Sequence, residues 1–360
     1  MIRAVKVGVT CVGGYFIFDL LRAFREAEGF KVTLVGLDAN PKARGRPLVD
    51  RFEVVPHAER DPAGFIDCVA ELSRRLRLDA FVPLSEAETR AVAQHRAELE
   101  AIGVALSVSG AETVARMTDK LHMLEHLQKA GVDVGPFAPV DTEAEAMTAL
   151  SALGYPEQQV VFKPRRGTGS RAVLIADATV DGYTPLLETR FCGAGPMPAL
   201  VGEMAARGVG FAGFLATPFY GHKVYDVDCV ARAGKAIDIV PRLREYENPL
   251  SPTNEGCVVD LHPAVIDLVE LACAAFEVHG ACDFDVAVDA GGTPRLLDAS
   301  CRLSGSVGAS LGAGVNFPAQ LLRVMFDLPP YPYTVQDGSR FRPFHHIVRV
   351  DAGCRTATAR

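Results

Sequence analysis

The sequence predicts an α/β protein in which a parallel sheet, covered by helices on both faces, precedes a mixed α+β region. Two observations carry this. The first third alternates continuous apolar runs with helically spaced segments, the pattern of strands buried on both faces and their crossover helices. From about Pro136 the pattern changes, and short strands follow one another across Gly-containing turns, as in antiparallel hairpins.

The elements follow in order. Val5 to Thr10 is an apolar strand rich in valine, and Tyr15 to Glu28 carries Phe16, Leu20, Leu21 and Phe24 at helical spacing. Val32 to Leu37 is a second strand ending at Asp38, Phe65 to Leu76 a helix, Phe81 to Leu84 a strand and Ala87 to Ile102 a helix. This is a Rossmann-like unit. Gly13-Gly14 after the first strand invites a dinucleotide reading with Asp38 as the ribose acid, but the segment holds no G-x-G-x-x-G. A tight strand-to-helix turn is the plain reading, with a substrate-facing loop as the alternative. Glu143 to Leu153 is helical, and Val160 to Pro164 and Ala172 to Ile175 are strands forming a small flap. After a Gly/Ala/Pro-rich stretch from Cys192 to Pro198, Val224 to Arg232 and Lys235 to Arg242 pair through Ala233-Gly234. Leu261 to His279 is a long helix, Phe284 to Val288 pairs with Arg295 to Ala299 through Gly291-Gly292, and Phe317 to Phe326 is a last helix.

Length and composition bound the function. A chain of 360 residues suggests two or three domains, and 49% hydrophobic with 22% charged residues describes a folded, water-soluble protein. A net charge of −7 argues against a nucleic-acid partner. No apolar run reaches membrane-spanning length, and the N-terminus lacks the layout of a signal peptide, so a cytoplasmic location is expected. Nine cysteines, an odd number without C-x-x-C spacing, read as reduced thiols rather than a disulfide frame or a zinc site. His122 and His126 share a helix face but have no third metal ligand near them in sequence.

Three segments carry chemistry. In Lys163-Pro164-Arg165-Arg166-Gly167-Thr168-Gly169-Ser170-Arg171 two glycines let backbone N–H groups approach an anion, hydroxyls add donors, and Lys163 and the arginines add charge. It is a strand–loop–strand phosphate clamp, distinct from a Walker loop. Thr118-Asp119-Lys120 opens a helix that Thr118 can cap, with Leu121, Leu124 and Leu127 as its apolar stripe and Lys120 off that stripe. Strand alternation puts Asp298, Ser300 and Arg302 on one face and Asp283 and Asp285 on the matching face of the partner strand. Asp285, Asp298 and Ser300 then form a hard oxygen site suited to Mg²⁺ shared with phosphates.

Together these segments resemble the ATP-grasp superfamily, and in particular its carbamoyl-phosphate-synthase-like branch of stand-alone carboxylate–amine ligases. The resemblance runs through Asp119-Lys120, Lys163-Pro164 with its Gly loop, Pro218-Phe219, Tyr225 to Asp228, Val240-Pro241-Arg242, Leu297 to Arg302 and Gly312 to Asn316. It implies a Rossmann-like domain over 1–112 and two α+β subdomains that clasp ATP, 113–216 with a Gly-rich lid and 217–345 with the catalytic groups, followed by a tail over 346–360. It implies that Lys120 and Lys163 contact phosphates, that Gly167, Thr168, Gly169 and Ser170 fold over them, and that Thr217, Pro218 and Phe219 form the hinge at the adenine. Asp285, Asp298 and Ser300 would hold Mg²⁺, with Mn²⁺ able to take its place. Arg302, Arg242 and Lys163 would be the catalytic groups around the transferred phosphoryl. The implied reaction joins a small-molecule carboxylate to an amine through an acyl phosphate, with a homodimer compatible. Three departures favour, as the alternative, a catalytically weakened ATP-binding module. The family's E-x-N-x-R is here Asp298-Ala299-Ser300-Cys301-Arg302, its ribose glutamate falls at Val224, and its hinge glutamate at Thr217.

Overall fold

The computed structural model describes residues 2–106, 108–167, 171–187, 190–221, 223–245 and 256–344. The first sheet is built by β1 (Arg3–Val9), α1 (Ile17–Arg25), β2 (Phe30–Asp38), β3 (Arg51–Val54), α2 (Pro62–Leu76), β4 (Ala80–Val82), α3 (Glu86–Gln94), α4 (Arg96–Ala101) and β5 (Ala105–Leu106). Its strands run parallel in the order β3-β2-β1-β4-β5. The single helix expected over Ala87 to Ile102 is two, because His95 leaves helical geometry and serves as the cap of both. At the Gly13-Gly14 turn the Gly13 N–H donates to Asp38 Oδ2 at 2.7 Å, so this carboxylate closes the turn.

Two helices lead out of the first sheet, α5 (Ala111–Met117) and α6 (Lys120–Lys129). The cap of α6 is Asp119, not Thr118 as the sequence suggested. The Asp119 carboxylate accepts from the N–H groups of Leu121 and His122, while the Thr118 hydroxyl turns back to Val114 O at 2.8 Å and ends α5. The carboxylate satisfies two orphan donors where a hydroxyl would satisfy one.

The second sheet comprises β6 (Ala138–Val140), β7 (Val160–Pro164), β8 (Leu174–Ala176), β9 (Thr184–Pro185), β10 (Gly193–Gly195) and β11 (Phe214–Pro218), in the order β6-β11-β7-β8-β10-β9, flanked by α7 (Glu143–Ala152) and α8 (Met197–Ala206). The expected flap of two strands is therefore the centre of a six-stranded sheet. The Gly/Ala/Pro-rich stretch contains β10, which runs parallel to β8. It is a glycine strand for a steric reason: a Cβ at Gly193 would stand 2.1 Å from the Tyr183 ring, and one at Gly195 2.3 Å from the Gly182 carbonyl. The boundary expected at 216/217 falls inside β11.

The third sheet, antiparallel throughout, contains β12 (Val224–Arg232), β13 (Lys235–Arg244), β14 (Cys257–Val259), β15 (Gly280–Val288), β16 (Pro294–Ser300) and β17 (Arg340–Phe341), in the order β16-β15-β12-β13-β14-β17. One face packs on α9 (Pro263–Ala275), which is shorter than expected at both ends. The other face meets α11 (Phe317–Met325), preceded by α10 (Val307–Gly312). Three apolar clusters fill the spaces between sheets and helices, one of them serving the second sheet alone. Among the described residues no helix is long and apolar enough to cross a membrane, and the eight described cysteines are free.

Candidate active site

A cleft of about 270 Å³ lies between the second and third sheets. Strand register decides which side chains reach it. Across the third sheet, Arg242, Asp226, Asp285 and Asp298 stand in one row, and Val240, Asp228, Asp283 and Ser300 in the next. Residues paired directly across neighbouring strands point to the same side, and the two rows are two residues apart along each strand, so these side chains share one face. The pairing of β15 with β16 slips between Asp285 and Val286, which leaves Leu297 bulged. The Leu297 carbonyl, freed from the ladder, accepts from Lys163 Nζ at 2.9 Å across the cleft.

Lys120 and Lys163 come from different elements and converge here. Lys120 Nζ lies 3.1 Å from Asp298 Oδ2 and donates to Gly167 O at 3.1 Å. Both lysines are buried. Burial, with the nearby Lys120 charge, pushes the Lys163 ammonium down to about 8. Gly167 adopts φ +128, a conformation that costs glycine little and other residues much. The loop root is tied down from below, because Asp119 accepts from Arg165 Nη2 at 3.0 Å and from Arg166 Nε at 3.1 Å. Thr168, Gly169 and Ser170, the expected lid, lie outside the described residues. Thr217, Pro218 and Phe219 line the cleft at the end of β11, together with Val161, Val173, Ile175, Val224 and Ala287, which give that end an apolar wall.

The acidic end is electrostatically strained. Burial raises the Asp285 carboxyl to about 7, against the pull of Arg244 and with the push of Asp226 and Asp298. Burial also raises Asp283, against Arg302, whose Nη1 is 3.6 Å away. Asp283 Oδ1 is buried with no hydrogen-bond partner among the described residues. Glu86, from the first turn of α3, adds another carboxyl at the rim, raised by burial and then by Asp298. An orphaned carboxylate oxygen beside further carboxyl groups and the Ser300 hydroxyl is a donor set that fits a hard divalent cation such as Mg²⁺.

Arg302 and Ser300 line the cleft as expected, but Arg242 does not. Its side chain is wholly buried, with Nη2 on Asp228 Oδ1 at 3.0 Å and Nη1 on Ser306 Oγ at 2.8 Å. The arginine that reaches the cleft is Arg244, two residues along the same strand, which donates to Asp226 Oδ1 at 3.0 Å through Nε and to Asp285 Oδ1 at 2.9 Å through Nη2. Period-2 alternation puts 242 and 244 on the same face and cannot say which one is roofed over; the loop at Ser304 to Ser306 decides it by covering Arg242. Alternation therefore does not single out Arg244, and Glu86 arrives from the first turn of α3, which no strand pattern could place at the cleft. His122 and His126 do not form a pair: a ring nitrogen of His126 meets Ala275 O at 2.8 Å, and His122 lies by Asp119. A second cavity of about 180 Å³, between Phe16 and Asp19 of the first unit and Gly308 and Phe341 of the last, shares Gly305 and Ser306 with the main cleft.

Comparisons with known proteins bear on the fold. A family model described as ATP-grasp in the biosynthetic pathway with Ter operon matches residues 211–347, less than half of the chain. No curated protein sequence matches. Among solved structures, L-amino acid ligase from Bacillus licheniformis is 16% identical with a TM-score of 0.63 over 90% of this chain and 75% of that one. N5-carboxyaminoimidazole synthetase from Staphylococcus aureus, complexed with ADP, is 14% identical with a TM-score of 0.67, covering 93% and 81%. The biotin carboxylase domain of 2-oxoglutarate carboxylase from Hydrogenobacter thermophilus, with MgADP and bicarbonate, is 16% identical with a TM-score of 0.64, covering 92% and 72%.

Proposed function

We propose that this chain, which has the ATP-grasp fold, is an ADP-forming ligase that joins a small carboxylate to an amine. The observation that carries the reading is the convergence of Lys120 and Lys163 with Asp285, Asp298 and Arg302 in one cleft that is apolar at its other end. An adenine suits the apolar end beside Thr217 to Phe219, and a triphosphate suits the lysines. Asp285, Asp298 and Ser300 would hold Mg²⁺, which when bound supplies charge neutralisation at the phosphates.

The chain's own residues then have these roles. Lys120 and Lys163 hold the phosphate oxygens, a task for buried cations whose charge is little screened. A substrate carboxylate placed near Arg302 attacks the γ-phosphorus; the bond to the β,γ-bridging oxygen breaks and ADP leaves. Arg302 and Lys163 balance the charge on the acyl phosphate. An amine, entering from the adjoining cavity by Ser306, attacks the acyl carbon and expels phosphate, which carries off the proton the nitrogen loses. The Gly167 loop would close over the phosphates to keep water from the acyl phosphate. Arg242 is assigned here a positioning role, holding Asp228 and Ser306 between the two cavities.

The test is incubation with ATP, Mg²⁺ and pooled carboxylic and amino acids with and without amines, reading ADP release and product mass. ADP release that requires a carboxylate, and that is abolished in Asp298→Asn, supports the ligase. Tight ATP binding without ADP release under every pool would instead select the weakened binding module, for which the cations already seated on Asp285 and Asp298 speak.

A further inference from the structure

On the face of the third sheet turned away from the cleft, three cysteines meet in the core. Cys229 on β12 is directly opposite Cys282 on β15, and Cys273 of α9 comes down onto the pair. The Cys273 sulfur is 3.7 Å from that of Cys229 and 4.0 Å from that of Cys282. All three side chains are at most 2% exposed. Among the described residues this is the one group of three metal-ligating side chains whose ligand atoms all lie within 4.8 Å of one another.

We propose that Cys229, Cys273 and Cys282 form a buried three-coordinate site for one soft monovalent cation of the copper(I) kind. Three sulfurs around a single ion at the thiolate bond length of about 2.3 Å stand about 4 Å apart, which is the spacing the fold already imposes. Zinc fits less well, because it calls for a fourth ligand and among the described residues no fourth His, Cys, Asp or Glu joins the group. Thiol sulfur selects soft ions over Mg²⁺, so this site and the carboxylate cleft do not compete for the same metal. Charge also balances. The ion enters as one thiol proton leaves, so one sulfur binds as a thiolate and the other two stay neutral thiols that add weaker soft-donor contacts, and the core gains no net charge.

The experiment uses the reduced full-length chain, kept anaerobic and given Cu⁺ from a coloured bis-chelator complex, both after purification and during expression, since the site is closed to solvent. Native mass spectrometry should then find one copper per chain in place of one proton, retained through gel filtration. Cys273→Ser and Cys229→Ala should each lower occupancy by roughly tenfold or more. Cys301→Ser, altering a buried thiol outside the group, should leave it unchanged. Circular dichroism and the melting transition establish that each variant is folded, and a variant that unfolds is replaced by Cys282→Ala. Absence of retained copper after both loadings, equal retention in the cysteine variants, or preferential retention of Zn²⁺ in a parallel loading would each overturn the assignment.

Discussion

Replacing Lys163 by methionine separates what the side chain does for the fold from what it does for nucleotide. Its ammonium is buried, bonds one carbonyl among the described residues, Leu297 O at 2.9 Å, and is pushed from 10.5 down to about 8, first by burial and then by Lys120. A displacement of that size corresponds to about 3 kcal/mol of charge burial, at about 1.4 kcal/mol per unit. Lys163→Met removes this penalty while leaving the Leu297 carbonyl without its donor, a loss of about 1–3 kcal/mol. The fold should therefore be unchanged or firmer by up to about 2 kcal/mol at pH 7. The pH dependence is the sharper readout. Because the folded value lies below the unfolded one, the unfolded chain binds more protons between about 8 and 10.5, and wild-type stability should rise with pH across that window. In Lys163→Met this rise should be absent. ATP affinity should meanwhile fall by about 1.5–3 kcal/mol, roughly ten- to a hundred-fold, for loss of a charge-assisted phosphate contact. Urea unfolding from pH 7 to 10.5 and calorimetric titration with a non-hydrolysable ATP analogue measure both. A variant that is several kcal/mol less stable at pH 7, or that binds nucleotide as tightly as wild type, would refute the reasoning.

Two further outcomes are expected. Asp119→Ala removes the cap of α6 and leaves Arg165 and Arg166 without their shared carboxylate, so thermal unfolding should show a loss of about 2–4 kcal/mol, with Asn, which keeps the cap, recovering part of it. Ser300→Asn extends a hard-oxygen donor further from β16 into the cleft, and a Mg²⁺ titration of ADP release should show a lower Mg²⁺ requirement with turnover kept; a turnover defect that Mg²⁺ cannot relieve would move Ser300 to the substrate pocket.

The sequence by itself marked the longer helices and strands and which acidic side chains share a face of the last hairpin, but not short strands such as β3, β6, β9 and β11. Apolar periodicity marks the parallel strands of the first sheet, since strands covered on both faces must be apolar throughout. Strict alternation placed Asp298 and Ser300 on one face and Asp283 and Asp285 on the matching one, and the register of β15 with β16 puts those pairs side by side. The Gly loop next to Lys163 was legible because glycine and basic residues together have few structural reasons to occur in a strand connection. The tertiary structure decided the rest, because it depends on contacts between residues far apart in the chain. β10 has no branched side chain to announce a strand; it is one because β8 lies beside it and Tyr183 leaves no room for a Cβ. Arg242 and Arg244 are equivalent in alternation, and only the turn at Ser304 to Ser306 buries the first and leaves the second in the cleft. The bulge at Leu297 that gives Lys163 its carbonyl follows from pairing register, which no single strand specifies. The three thiols, scattered over 54 residues without a spacing motif, become neighbours only when α9 packs across the back of β12 and β15. Periodicity is written locally and survives in the sequence; proximity across a sheet or between layers is set by packing, and is not.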